Sequence, residues 1–212
     1  MEAKHVHFLD LASVVFVARQ NTPGLLTHDF LQYNNVVSDD VSPEQAISLP
    51  VLSHLKYPGG LEITATENKT ILQYQYTNTQ LAVLPNDDLE ELALNILALT
   101  GHLEYVGLGI NFVCYRPGDN IDGLLDLDNL PGGMSAEHVK YKVAYKQFVV
   151  HLEISIGTHK KSNDSLIVFN ANFGLTLGSA KRRTRIEAIR SAIALRKSCF
   201  TEFKRLIDES RV

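Results

Sequence analysis

At 212 residues the chain has room for one domain or two small ones, and 45% hydrophobic residues suits a globular core and excludes a disordered chain. The formal charge of −4 is unevenly spread: from Lys181 onward ten basic residues face four acidic ones, a local balance of +6 that leaves −10 for everything before it. A cationic end on an acidic body points to charge pairing within or between molecules rather than to a domain basic throughout, as bulk nucleic-acid binding favours.

No window holds the roughly 18 consecutive apolar residues of a membrane span, and Met1 to His7 shows no basic region leading into a long apolar run. A cytoplasmic protein with no membrane partner is expected. The two cysteines, Cys114 and Cys199, are isolated, which gives neither a zinc framework nor a disulfide scaffold; both read as small core residues.

Phe8 to Arg19 reads as a strand apolar on both sides, with Leu9, Leu11, Val15 and Val17 alternating against Ala12, Val14, Phe16 and Ala18, and so belongs at the centre of a sheet. Gln20 to Leu49 then loses periodicity but keeps Leu25, Leu26, Phe30, Leu31, Val36 and Val37, the pattern of an ordered excursion with a short helical turn near Asp29. Leu61–Thr66 and Thr70–Thr77 form a hairpin around Glu67-Asn68-Lys69. Asn86 or Asp87 caps a helix that runs to Leu99 and stops at Gly101, with Asp87, Asp88, Glu90 and Glu91 suiting the positive end of its dipole.

Tyr105 to Arg116 starts the pattern again. A second excursion covers Asp119 to Ser135, followed by a long hairpin of Tyr141–Gly157 and Ser165–Leu177. From Lys181 to Arg211 a single long helix capped by Ser179 is expected, because Ile186, Ile189, Ile193, Phe200, Phe203 and Ile207 recur at helical spacing and Pro is absent. The order strand, excursion, hairpin, helix therefore occurs twice, as a pseudo-duplication into 1–102 and 103–212 within one domain, 1–212. The expected fold is α+β: an antiparallel sheet of about six strands with two helices on one face.

Two surfaces follow. Arg183, Arg190, Lys197, Lys204 and Arg211 recur every seventh residue and line one helix edge, joined at its start by Lys181, Arg182 and Arg185; they are candidates for contacting nucleic acid or a partner. Gln73, Gln75, Asn111, His151, Glu153, Asn170 and Asn172 share the sheet face away from the helices, where amide-rich side chains suit a polar ligand or a partner's backbone. Glu62, Thr64, Gly107, Gly109 and Ser155 belong to the same face. His151 and Glu153, two apart on one strand, are the acid and imidazole pair with a geometric reason to be close.

Other patterns fall short of chemistry. His5 and His7 supply two potential metal ligands and no third. Asp119, Asp122, Asp126 and Asp128 lack the ligand register of a calcium loop. Gly107-Leu-Gly109 sits within a strand, not at a strand-to-helix phosphate turn. The sequons at Asn68 and Asn163 read as hairpin turns. No catalytic residue, metal site or cofactor is expected.

Pro23-Gly-Leu-Leu26, Asp29-Phe-Leu31, Asn34-Asn-Val-Val37 and Asp39-Asp40 resemble a segment of uncharacterised bacterial proteins of unknown function, in which a similar run ends in Trp; this chain has no Trp. The resemblance implies a bacterial protein and carries no activity. The reading that best accommodates all of this is a non-enzymatic interaction or assembly subunit, self-associating or bound to a protein partner. The alternatives are nucleic-acid binding along the cationic helix edge, and a small polar ligand binder or enzyme using the polar sheet face.

Overall fold

The computed structural model describes residues 6–82, 84–85, 87–118, 138–158, 164–179 and 181–209. Its strands are β1 (Phe8–Ala18), β2 (Gln45–Leu49), β3 (Leu52–Lys56), β4 (Leu61–Thr66), β5 (Lys69–Gln80), β6 (Tyr105–Pro117), β7 (His138–Tyr145), β8 (Phe148–Thr158) and β9 (Ser165–Thr176), and its helices are α1 (His28–Tyr33), α2 (Leu89–Thr100), α3 (Arg182–Ile193) and α4 (Arg196–Glu209). All nine strands join one antiparallel sheet in the order β2-β3-β4-β5-β1-β6-β9-β8-β7.

The α+β class is as expected, but among the described residues the sheet has nine strands rather than about six. Two of the additions, β2 and β3, come from the stretch before Leu61. The third arises because Tyr141–Gly157 is two strands, β7 and β8, joined at Lys146, whose φ of 51° lies in the left-handed region. The chain enters β4 through Pro58-Gly59-Gly60. Gly60 has φ 90°, and a Cβ there would lie 2.3 Å from the Gln75 carbonyl oxygen, so only glycine fits.

Alternation puts one apolar row of each strand on the helix-covered face. Val14, Phe16, Ile63, Leu72, Ile110, Phe112, Leu152, Phe169 and Phe173 are all buried there. In β1 the pairing shifts between Leu9 and Leu11, so Leu9 joins Ala12 and Val14 in the core while Leu11 goes to the opposite face. The strand is central, between β5 and β6, as its two-sided apolar pattern requires.

α2 packs on β5 and β1, α3 on β6, and α4 on β6 and β9. Phe200 and Phe203 rest on Phe112, at ring-centroid distances of 5.4 and 5.7 Å. The excursion after β1 folds onto the same face: Leu26 and Leu31 are buried, α1 is capped by Thr27, whose Oγ1 accepts from the Phe30 amide at 3.2 Å, and the Ser53 hydroxyl donates to the Leu26 carbonyl at 2.5 Å. Both thiols are buried, which raises their pKa, for Cys199 to about 12. No helix among the described residues is long and apolar enough to cross a membrane.

The C-terminal helix is not continuous. At Leu195 the hydrogen bond tightens to the carbonyl three residues back, that of Ala192, and α4 begins at Arg196. No Pro or Gly causes this break. Ser179 does not cap α3 either; Lys181 occupies the N-cap without a side-chain bond. The apolar stripe nonetheless faces the sheet, with Ile189, Ile193, Phe203 and Ile207 all buried.

Ile193→Asp, which places an uncompensated charge in a fully buried site, is expected to lower stability by several kcal/mol and unfold or aggregate the protein. Lys197→Glu, on the exposed side, should change it by under about 0.5 kcal/mol. Thermal melts of the two variants check the assignment of faces.

Candidate functional site

Strand register aligns a row of residues across the open face, one from each of the nine strands: Gln45, Lys56, Glu62, Gln73, Ser13, Asn111, Asn172, His151 and Lys142. Every member is polar. Lys56 Nζ lies 3.6 Å from Glu62 Oε1, and Gln73 Nε2 donates to Glu62 Oε2 at 2.8 Å. At the centre Asn172 donates to the Asn111 side-chain carbonyl, and Asn111 Nδ2 donates to Ser13 Oγ at 2.9 Å. The amides therefore point the same way along the row, a geometry in which each bond polarises the next.

The adjacent row is polar where β3 and β4 contribute His54 and Thr64, but changes character from β5 onward. It runs Ile71, Val15, Gly109, Gly174, Val149 and Ala144 across five further pairings of the same strands. The glycine pair has no side chains, and the Asn172 amide lies over it, 3.2 Å from where a Gly109 Cβ would stand and 3.1 Å from where a Gly174 Cβ would stand. The result is a trough of about 520 Å³ with Val15, Ile71 and Val149 along its length, His151 and Asn172 on one wall, and Val17, Lys69 and Thr176 on the other. Antiparallel sheets commonly leave one face to water, but a uniformly solvated face does not require a glycine floor.

Of the residues expected on this face, Asn111, Asn172 and Gln73 meet in the polar row. Asn170 is exposed one register step away, opposite Glu153, and Gln75 Nε2 donates to Asp10 at 2.7 Å. His151 and Glu153 do not form the expected pair. Alternation keeps them on one face, but the Glu153 carboxylate turns to the neighbouring strand, 2.7 Å from His138 Nε2 and 3.9 Å from Lys140 Nζ. Register puts Lys140 directly opposite Glu153 and His138 diagonally beside it on the same face, so the neighbouring strand offers the carboxylate two partners. His7 packs edge-on against Phe169; His5, Arg211 and the Asp119–Asp128 loop lie outside the described residues. Among the described residues no group of three or more His, Cys, Asp or Glu could hold a metal.

The cationic stripe is divided by the helix break, and several of its charges turn to the protein itself. Arg183 pairs with Glu187 at 3.0 Å, and Lys204 Nζ donates to the Ala82 carbonyl at 2.5 Å. At the start of α3, Arg182 Nε donates to the Gly101 carbonyl at 2.6 Å, where it meets the negative end of α2, and Arg185 lies 3.4 Å from Glu104. Arg190 and Lys197 remain exposed.

The cation that matters most to the fold lies outside the stripe. Arg196 is 2% exposed and grips Asp87 with both terminal nitrogens, at 2.7 and 2.8 Å. Asp87 also accepts from the Tyr76 hydroxyl and from the Leu89 amide at 3.1 Å, so it caps α2 with its side chain although the N-cap position itself is Asp88. Tyr74 donates to Asp88. The signal was present in the sequence: Arg196 falls three residues after Ile193 and four before Phe200, on the buried stripe. The chain matches no described protein family and no curated protein.

Arg196→Ala is expected to cost about 3–5 kcal/mol, since it strands the Asp87 carboxylate in the interior, and chemical denaturation measures it. Burial, reinforced by the adjacent carboxylates, raises the pKa of Tyr74 and Tyr76, and burial lifts Tyr57 to about 12. Above pH 10, the ordinary tyrosine value, the unfolded chain releases protons that the folded one keeps. Stability held in full below pH 10 should therefore fall as pH rises toward the folded values, and Tyr76→Phe should flatten that fall in melts taken from pH 8 upward.

Proposed function

We propose that the protein is a cytoplasmic, non-enzymatic interaction or assembly subunit whose open sheet face docks a polypeptide partner in the glycine-floored trough. The observation that carries this reading is the juxtaposition of two rows in register, one polar on every strand and one apolar or side-chain-free at its centre. Five strands span about 19 Å at the usual ~4.8 Å spacing, the length of roughly six extended residues. An extended segment lying along the rows sets apolar side chains over Val15, Ile71 and Val149 and hydrogen-bonds its backbone to His151 and to the Asn172 amide that lies over the glycine pair. A second reading, a small polar ligand, has one observation in its favour: the trough's volume falls within the roughly 300–1,000 Å³ of ligand pockets.

Val149 is 40% exposed, so Val149→Glu should leave the melting temperature within a few degrees while placing a charge in the trough. Crosslinking in the native host, with wild type and variant compared by mass spectrometry, is expected to show a specific polypeptide joined to wild type and lost from the variant. The same polypeptide at the same yield on both would remove the trough from the interaction. A small molecule co-purifying with wild type alone would favour the second reading.

A further inference from the structure

The two edges of the sheet are guarded very differently. The β7 edge presents Lys140 and Lys142 on the open face, and cations of this kind repel an approaching strand. The β2 edge, Gln45 to Leu49, has no charge, no proline and an unbroken register with β3. In a chain with 21% charged residues, the eleven residues from Gln45 to Leu55 contain no Asp, Glu, Lys or Arg. Three of the most exposed large apolar side chains lie at the same corner: Leu25, 52% exposed, in the 3-10 turn packed on β2, and Leu49 and Val51, 50% and 54% exposed, at the β2–β3 turn. A Cβ at Gly24 would stand 3.5 Å from the Leu49 carbonyl oxygen and 3.6 Å from Pro50 Cα, so the 3-10 turn that carries Leu25 runs beside the β2–β3 turn. An uncharged, flat edge flanked by exposed leucine and valine is an open template for strand pairing.

We propose that β2 pairs antiparallel with β2 of a second copy of this chain across a twofold axis at Ile47, making one continuous sheet through both protomers. The strand is self-complementary in that register: Ile47 meets its own counterpart, Gln45 meets Leu49, Ala46 meets Ser48, and no like charges are opposed. Pairing of β2 with β7 would instead be head-to-tail and open-ended, and the lysines of β7 oppose it; the β2 pair uses the same surface twice and closes. A five-residue ladder with two flanking side chains, Leu25 and Val51, from each copy lies at or below the roughly 1,200 Å² low end of specific interfaces, so the dimer is weak and concentration-dependent. This surface is separate from the trough.

Sedimentation velocity of the full chain over about 1–200 µM tests it, a range suited to a weak interface. The expected result is a mass that rises from monomer and levels at dimer. Ile47→Lys places two cations in opposition at the axis and Ser48→Lys charges the same edge; each should weaken the dimer by at least about tenfold, while Val149→Glu leaves it unchanged. Thermal melts confirm that the variants are folded, and either folded lysine variant suffices. A wild type that stays monomeric throughout, a mass that grows past dimer, or a folded lysine variant that dimerises like wild type overturns the proposal.

Discussion

The bidentate ion pair between Asp87 and Arg196 fixes the relation of the helices to the sheet. Asp87 sits where the chain leaves β5 and enters α2, so its carboxylate caps that helix while accepting from Tyr76 on β5. Arg196 is the first residue of α4 and closes the ring from the far end of the chain. Two charges withdrawn from water are tolerated only because nearly every lone pair on the acid is used, so the pair specifies geometry more than it adds stability. α3 covers β6 while α4 continues to β9, and the two meet at one tightened turn at Leu195. Since neither Pro nor Gly is present, the bend is imposed by tertiary structure.

With α1, α2, α3 and α4 all committed to one face, the other face is free to be specialised. Its polar row needs the sheet to be in register over nine strands, and β1 pairs without a shift from Leu11 to Val17 on both sides of Ser13; the bulge lies before that stretch and acts on the core face. Without the extra residue near Asp10, Leu9 would leave the core, and with it the end of the strand that pairs with β6. Ser13 and Asn111 meet across the β1–β6 pair, and Asn111 and Asn172 across β6–β9, so the central amide chain depends on pairings between residues about 60 to 100 positions apart in sequence. The open face is thus a product of the whole sheet rather than of any single hairpin.

What was legible in the sequence was whatever local periodicity determines. The alternation of β6, β8 and β9 marked both faces, and the apolar spacing of α2 with Gly101 behind it fixed that helix and its end, whereas in β1 alternation grouped Leu9 with Leu11 and the bulge separates them. The strands β2 and β3 escaped because QAISL and LSHLK contain a single β-branched residue and lie in a sheet edge that buries little. The β7–β8 turn escaped because Lys146 adopts φ 51° without the glycine or asparagine that normally announces such a turn. Of the candidate site, the alternation assigned Asn111, Asn172 and His151 to one face, but which residues become neighbours across it is set by register. Register lies in long-range pairing, and it is what sent Glu153 to His138 and joined Gly109 to Gly174.

The strand order also explains why β1 and β6 bear the most apolar weight. Each half of the chain sends its first strand to the middle of the sheet, lays its remaining strands from the outer edge back toward it, and ends in helix; the two first strands then pair with each other. β1 cannot complete its neighbours until β5 and β6 have both been made, and β6 waits in turn for β9. The centre therefore closes through non-local contacts, which are slow to form and must be strong once formed. Val14, Phe16, Ile110 and Phe112 supply that strength at the seam, and α2, α3 and α4, all packed on these two strands, bury them only when both halves are in place. A core shared in this way couples the halves, so losing the seam exposes the apolar faces of both at once.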